Sequence, residues 1–101
     1  MRFTAVFLAP LLAVTAHAAS LEICLKPLFK DCTTLDAPDD VCVRLSDKYS
    51  RHVLSARTLT GAYCQSFRDP ECQDEPIVDI HEGGWPGLPL AGATIAIKCY
   101  D

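Results

Sequence analysis

Leu21, Ile23 and Leu25 alternate with Glu22, Cys24 and Lys26. A period of two puts the three apolar side chains on one face of a half-buried strand. Pro27 ends that strand because it cannot donate a ladder hydrogen bond. Phe29 follows, and residues 32–35 form a short β-favouring segment. Residues 36–40 (Asp-Ala-Pro-Asp-Asp) predict a turn by composition. Val41, Val43 and Leu45 then alternate with Cys42 and Arg44, which predicts a strand with those three side chains inward. Residues 46–49 allow one short helical turn, capped by Ser46 and carrying Tyr49 and Val53 on one side. Residues 53–58 predict another strand, and Thr60-Gly61 a turn. A strand reaching Phe67, a turn at Asp69-Pro70 and a strand over residues 77–80 come next. Residues 83–87 (Gly-Gly-Trp-Pro-Gly) predict a loop, rigid at Pro86 and permissive at its glycines. Residues 93–99 close the pattern with Ala93, Ile95, Ile97 and Cys99 on one face. Short strands broken by turns every ~8–12 residues predict an all-β sandwich.

Ahead of the first strand, Arg2 precedes a mostly apolar run over residues 3–15 and the small-x-small triplet Ala16-His17-Ala18. This predicts a secretory signal peptide over residues 1–18 and a secreted, extracellular chain over residues 19–101, folded as one domain. The run is shorter than the ~20 residues a bilayer requires, so no stable membrane insertion is expected. Cleavage removes Arg2, leaving 8 Lys+Arg against 13 Asp+Glu, a formal charge of −5. An acidic surface is a poor match to phosphate backbones, so nucleic acid is not an expected partner. There is no Asn, and hence no N-glycosylation acceptor.

Six cysteines, Cys24, Cys32, Cys42, Cys64, Cys72 and Cys99, all follow the leader. An even number in a short secreted chain predicts three disulfides. No C-x-x-C spacing points to zinc. A domain this small buries little surface against its chain entropy, and each disulfide adds about 2–4 kcal/mol. The spacing Cys24–Cys32 recurs as Cys64–Cys72, 40 residues on, which predicts a duplicated unit. Cys32–Cys42 is the expected clip across the turn at residues 36–40; the pairing of the other four cysteines stays open.

The second unit, Phe67-Arg68-Asp69-Pro70-Glu71-Cys72-Gln73-Asp74, resembles the motif that opens a Greek key in the βγ-crystallin-like small secreted proteins. That motif is an aromatic, four residues, a second aromatic, one residue and a glycine. Here Cys72 stands in the second aromatic position and Asp74 where glycine is usual. In the first half Cys24, Phe29 and Asp31 take the three positions, in a register shifted by 43 residues. The resemblance implies a disulfide-stapled sandwich of two Greek keys. It also implies an extracellular toxin- or effector-like role in virulence or antimicrobial action. Calcium sites of that family use paired Asn/Asp before a serine pair. The matching residues 50–55 and 91–96 lack those carboxylates and amides, so neither calcium nor any other cofactor is expected.

Candidate chemistry is sparse. Past the leader, histidine occurs only at His52 and His81, and no G-x-S-x-G elbow exists. With all cysteines paired there is no thiol nucleophile, and the chain is not expected to be an enzyme. Asp79 and His81, two apart on a strand, allow an acid/base pair or a metal site, against a solvated strand end. The carboxylates Asp69, Glu71, Asp74, Glu75, Asp79 and Glu82 allow a divalent cation, against a solubilising β surface. Lys48, Arg51, His52 and Arg57 form a basic cluster able to dock an acidic partner, against a solvated face. Trp85 between Gly-Gly and Pro-Gly has two readings, a binding anchor or a plug over the end of the sandwich. The expectation is a monomeric protein that binds an extracellular or host-cell target, a protein or a cell-surface glycan. The alternative is a protease inhibitor presenting residues 83–89 as a rigid loop.

Overall fold

The computed structural model describes residues 18–59, 61–90 and 92–100. Residues 1–17 of the expected leader (1–18) lie outside them, and its last residue, Ala18, opens the first strand. Among the described residues there are seven strands and no helix: β1 (Ala18–Lys26), β2 (Lys30–Pro38), β3 (Cys42–Arg44), β4 (Ser55–Thr58), β5 (Tyr63–Phe67), β6 (Val78–Ile80) and β7 (Ala96–Tyr100). They form two antiparallel sheets, ordered β2-β1-β4 and β3-β7-β5-β6.

The third strand of each half crosses to the other half's sheet. β3 pairs with β7, and Trp85, in the corresponding place of the second half, bridges Ala56 of β4. Each half is therefore a Greek key that completes itself on its neighbour. The inward residues Leu21, Ile23, Ala56, Cys64, Ile80, Ile97 and Cys99 form one core cluster together with Leu45, Val53 and Leu88.

Several boundaries differ from the sequence reading. Val41 is 47% exposed, because β3 starts only at Cys42 and the Val41 N–H turns back to the Pro38 carbonyl at 3.2 Å. β2 continues through Asp36 to Pro38, since β1 pairs with it along that whole length. The turn is confined to Asp39-Asp40, where Asp40 takes a φ of 59°. β7 starts at Ala96 rather than residue 93, because Gly92 at a φ of 89° turns the chain and the Ala93 N–H bonds to Leu90. Near Ser46 the chain makes a turn, not a helix. The backbone carbonyl of Ser46 accepts from Tyr49 and Ser50, while Tyr49 and Val53 pack on the core.

Three disulfides join Cys24–Cys32, Cys42–Cys72 and Cys64–Cys99. The expected Cys32–Cys42 clip is not formed. Cys32 stands directly opposite Cys24 in the β1–β2 register, while Cys42 lies on the edge strand of the other sheet.

The hydrogen bonds give the register of the duplication. Leu54 donates to Cys24 and Ile95 to Phe67; Leu88 donates to Leu54 and Leu45 to Ile95. Opening strands thus superpose with an offset of 43 residues, Cys24 on Phe67, and closing strands with 41, Leu54 on Ile95. Cys64 corresponds to Leu21, not to Cys24, so the 40-residue cysteine repeat is not the structural one. The 43-residue motif register is. Phe29 and Cys72, its second positions, both adopt left-handed backbone, at φ 59° and 54°.

Candidate functional site

A duplicated scaffold lets each contact on one outer face be compared with its counterpart in the other half. On the outer face of the first sheet, the chain folds back after Lys26. The Ser55 hydroxyl donates to the Lys26 carbonyl at 2.6 Å and accepts from the Phe29 N–H at 3.1 Å. Phe29 lies over the Arg57 guanidinium at 4.5 Å, and Arg57 reaches Glu22 at 3.0 Å. In the second half, Cys72 folds back in the same way over Phe67, Ala96 and Cys42. These contacts anchor the two hairpins and belong to the scaffold.

The lower part of the second outer face has no such counterpart. Tyr63 on β5 and Tyr100 on β7 are directly opposed, with ring centroids 5.1 Å apart. His81, just past β6, stacks on the other side of Tyr63 at 5.6 Å. The result is a row of three stacked rings, His81–Tyr63–Tyr100, crossing the sheet. Beside it Lys98 lies 6.0 Å from the Tyr100 ring centre and 3.3 Å from an Asp40 carboxylate oxygen. Gln65 donates to Asp79 at 3.0 Å. In the first half the same places hold Ser20 for Tyr63, Asp36 for His81 and Leu59 for Tyr100. There the Ser20 hydroxyl simply donates to Asp36 at 2.9 Å. Tyr63, 37% exposed, is an aromatic that the fold does not demand.

The residues singled out from the sequence are distributed differently. Lys48, Arg51 and His52 share the exposed turn after β3, with Lys48 over the Tyr49 ring at 5.6 Å. Arg57 is separated from them by its engagement with Glu22 and Phe29. Trp85 is half-buried against the core, and its indole N–H donates to the Asp79 carbonyl at 2.7 Å. Segment 83–89 is bound into the sheet rather than standing free. Trp85 and Ala56 exchange hydrogen bonds, Leu88 donates to Leu54, and Pro86 accepts from Leu28. Gly84 is required here: at a φ of 63° its hydrogen faces Arg57 and the Ala56 carbonyl, where a Cβ has no room. Asp79 and His81 turn to different partners, Gln65 and Tyr63, and do not form an acid/base pair. Glu71 approaches Arg44 at 3.8 Å. Asp69 accepts the Gln73 and Asp74 backbone N–H groups at 2.9 and 3.2 Å; those hydrogen bonds, that to Gln73 foremost, hold its pKa below the ordinary carboxylate value.

No protein-family model matches the chain, and no curated protein matches it. A crystal structure of the N-terminal domain of protein S, a βγ-crystallin-type domain, superposes with a TM-score of 0.64 at 11% identity, over 82% of this chain and 97% of that one. The fold is a βγ-crystallin-like sandwich. At that identity the likeness shows the fold alone. Within a βγ-crystallin frame Asp31 is legible: it occupies the motif's glycine position and adopts the φ of 58° for which glycine is favoured there. Calcium does not fit the frame's usual positions. Residues 50–55 offer no carboxylate, and the Ser55 hydroxyl is engaged with Lys26 and Phe29. The other group of metal-ligating side chains, Glu22 with Cys24 and Cys32, offers no thiolate because both cysteines are in one disulfide.

Proposed function

We propose that the protein is a secreted, toxin- or effector-like binding protein. Its contact surface is the outer face of the second sheet around His81, Tyr63 and Tyr100. The observation that carries this reading is the ring row in one half only, on a scaffold that folds at the matching places with serine, aspartate and leucine. Tyrosines give large contact area at little rotamer entropy and anchor protein interfaces. A protein target fits this row better than a glycan. Rings stacked on one another cover each other's faces and present edges and hydroxyls, whereas a sugar needs an open ring face. Lys98, Asp40, Gln65 and Asp79 supply the polar rim.

The test uses the first half as donor. Tyr63→Ser with Tyr100→Leu installs residues that the scaffold already accommodates. Oxidised wild-type protein is applied to fungal, bacterial and plant cells beside this variant and a reduced, alkylated control. Binding and cell damage by the wild type, lost about tenfold or more in the variant at unchanged thermal stability, is the expected result. Full retention of binding by the variant overturns the reading, and so does capture by pure oligosaccharides alone.

A further inference from the structure

We propose that the protein self-associates through the open edge of β2, with two copies joining their first sheets into one. Cys24 and Ser20 of β1 turn their carbonyls toward the β4 side, where Leu54 and Leu59 donate to them. In an antiparallel ladder, a residue that bonds on one side has its opposite neighbour on the other side unbonded. Cys32 and Asp36, the β2 partners of Cys24 and Ser20, therefore direct their N–H and C=O groups away from the sheet, and so does Thr34 between them. β2 is nine residues long and ends its sheet, whereas β6, the corresponding edge of the second half, has three.

An exposed edge is ordinarily blunted by charge or proline. Here Pro38 and the left-handed Asp31 bound it, and the stretch Cys32-Thr33-Thr34-Leu35 between them is uncharged and β-favouring. The charges at its two ends are self-complementary. Lys30 and Asp36 lie equally far from Thr33 and carry opposite signs. A two-fold axis through Thr33 sets Cys32 against Thr34 of the second copy, with reciprocal backbone hydrogen bonds. It also sets Lys30 against Asp36 on both sides of the axis. Asp31 then faces Leu35, so no like charges meet. Lys30 has no ion-pair partner among the described residues, and Asp36 binds Ser20 through Oδ1 alone, which leaves Oδ2 for the lysine. An unrelated extended peptide would have no need of this palindromic charge pattern, so the occupant is a second copy of this chain.

Sedimentation velocity on the oxidised protein tests this across a concentration series. Wild type is expected to dimerise, more weakly at high salt. Thr34→Pro removes an N–H that serves no bond within the fold and should leave only monomer with an unchanged far-UV spectrum. Lys30→Asp and Asp36→Lys should each weaken the dimer about tenfold, and the double swap should restore it to within about threefold. A wild type monomeric up to ~1 mM overturns the proposal. A dimer indifferent to Thr34→Pro, or one that the double swap fails to restore, overturns it as well. The ring row of the second sheet is untouched by these changes, so its cell-binding activity fails or survives independently.

Discussion

The two Greek keys share a backbone course and diverge in what they build on it. The first is closed by polar pairs: Ser20 with Asp36, and Glu22 with Arg57 under Phe29. At matching places the second has stacked rings, and in place of the Leu21–Thr58 pair it has the Cys64–Cys99 disulfide. Its own edge strand is short and its hairpin loop long, tied by Asp69 instead of by a nine-residue ladder. The comparison separates two kinds of residue. Those alike in both halves, such as Leu45 with Leu88, hold the sandwich together; exposed residues that differ on the outer faces, such as Tyr63 against Ser20, are not required by the shared backbone course.

Disulfide removal should have the largest effect, and an unequal one in the two halves. Cys64→Ala/Cys99→Ala opens a loop of 35 residues and is expected to cost about 4 kcal/mol on loop entropy, beyond any cavity between the sheets. Cys24→Ala/Cys32→Ala opens only 8 and should cost about 2.5 kcal/mol. Urea denaturation of the two variants gives the order, and a reversed order would mean that the halves are not stapled as described. Gly84→Ala, which has no space beside Arg57 and forces a non-glycine residue to φ 63°, should cost about 3 kcal/mol by the same measurement. Contacts on the two outer faces should differ by smaller amounts. Arg57→Ala loses a half-exposed ion pair and a ring contact together and should cost about 1 kcal/mol. Lys98→Ala, with only a distant ring and one carboxylate, should cost less. The smallest effect lies at Asp69. Its pKa is depressed in the folded state, so its contribution is complete above the ordinary carboxylate range and fades as pH falls through the lowered value. Amide exchange at Gln73 and Asp74, relative to the rest of the chain, should rise in that acid window in wild type and at neutral pH in Asp69→Asn.

The architecture was legible where alternation ran uninterrupted. Leu21 and Ile23 are inward as their spacing says, and β1 stops at Pro27. The motif positions Phe29 and Asp31 were legible too, because a tight hairpin needs particular backbone angles. Two things escaped. The second crossing strand is a single bridge at Trp85 among glycines, so it reads as a loop; only its partner Ala56, 29 residues earlier, makes it part of a sheet. The ring row escaped for a related reason. Tyr63 and Tyr100 adjoin Cys64 and Cys99, and once those cysteines are known to pair, their neighbours must face each other across the strands. Cysteine spacing alone leaves that pairing among many, and the 40-residue repeat points to a different one.

The exchange of third strands also sets a timetable for folding. β1, β2 and the Cys24–Cys32 link can form as soon as the first forty or so residues are available. β3 cannot settle then, because its partner β7 is the last of these seven strands to be made, and Cys64 waits for Cys99 for the same reason. Cys42 and Cys64 therefore both precede β7, the strand that pairs with β3 and β5 and carries Cys99.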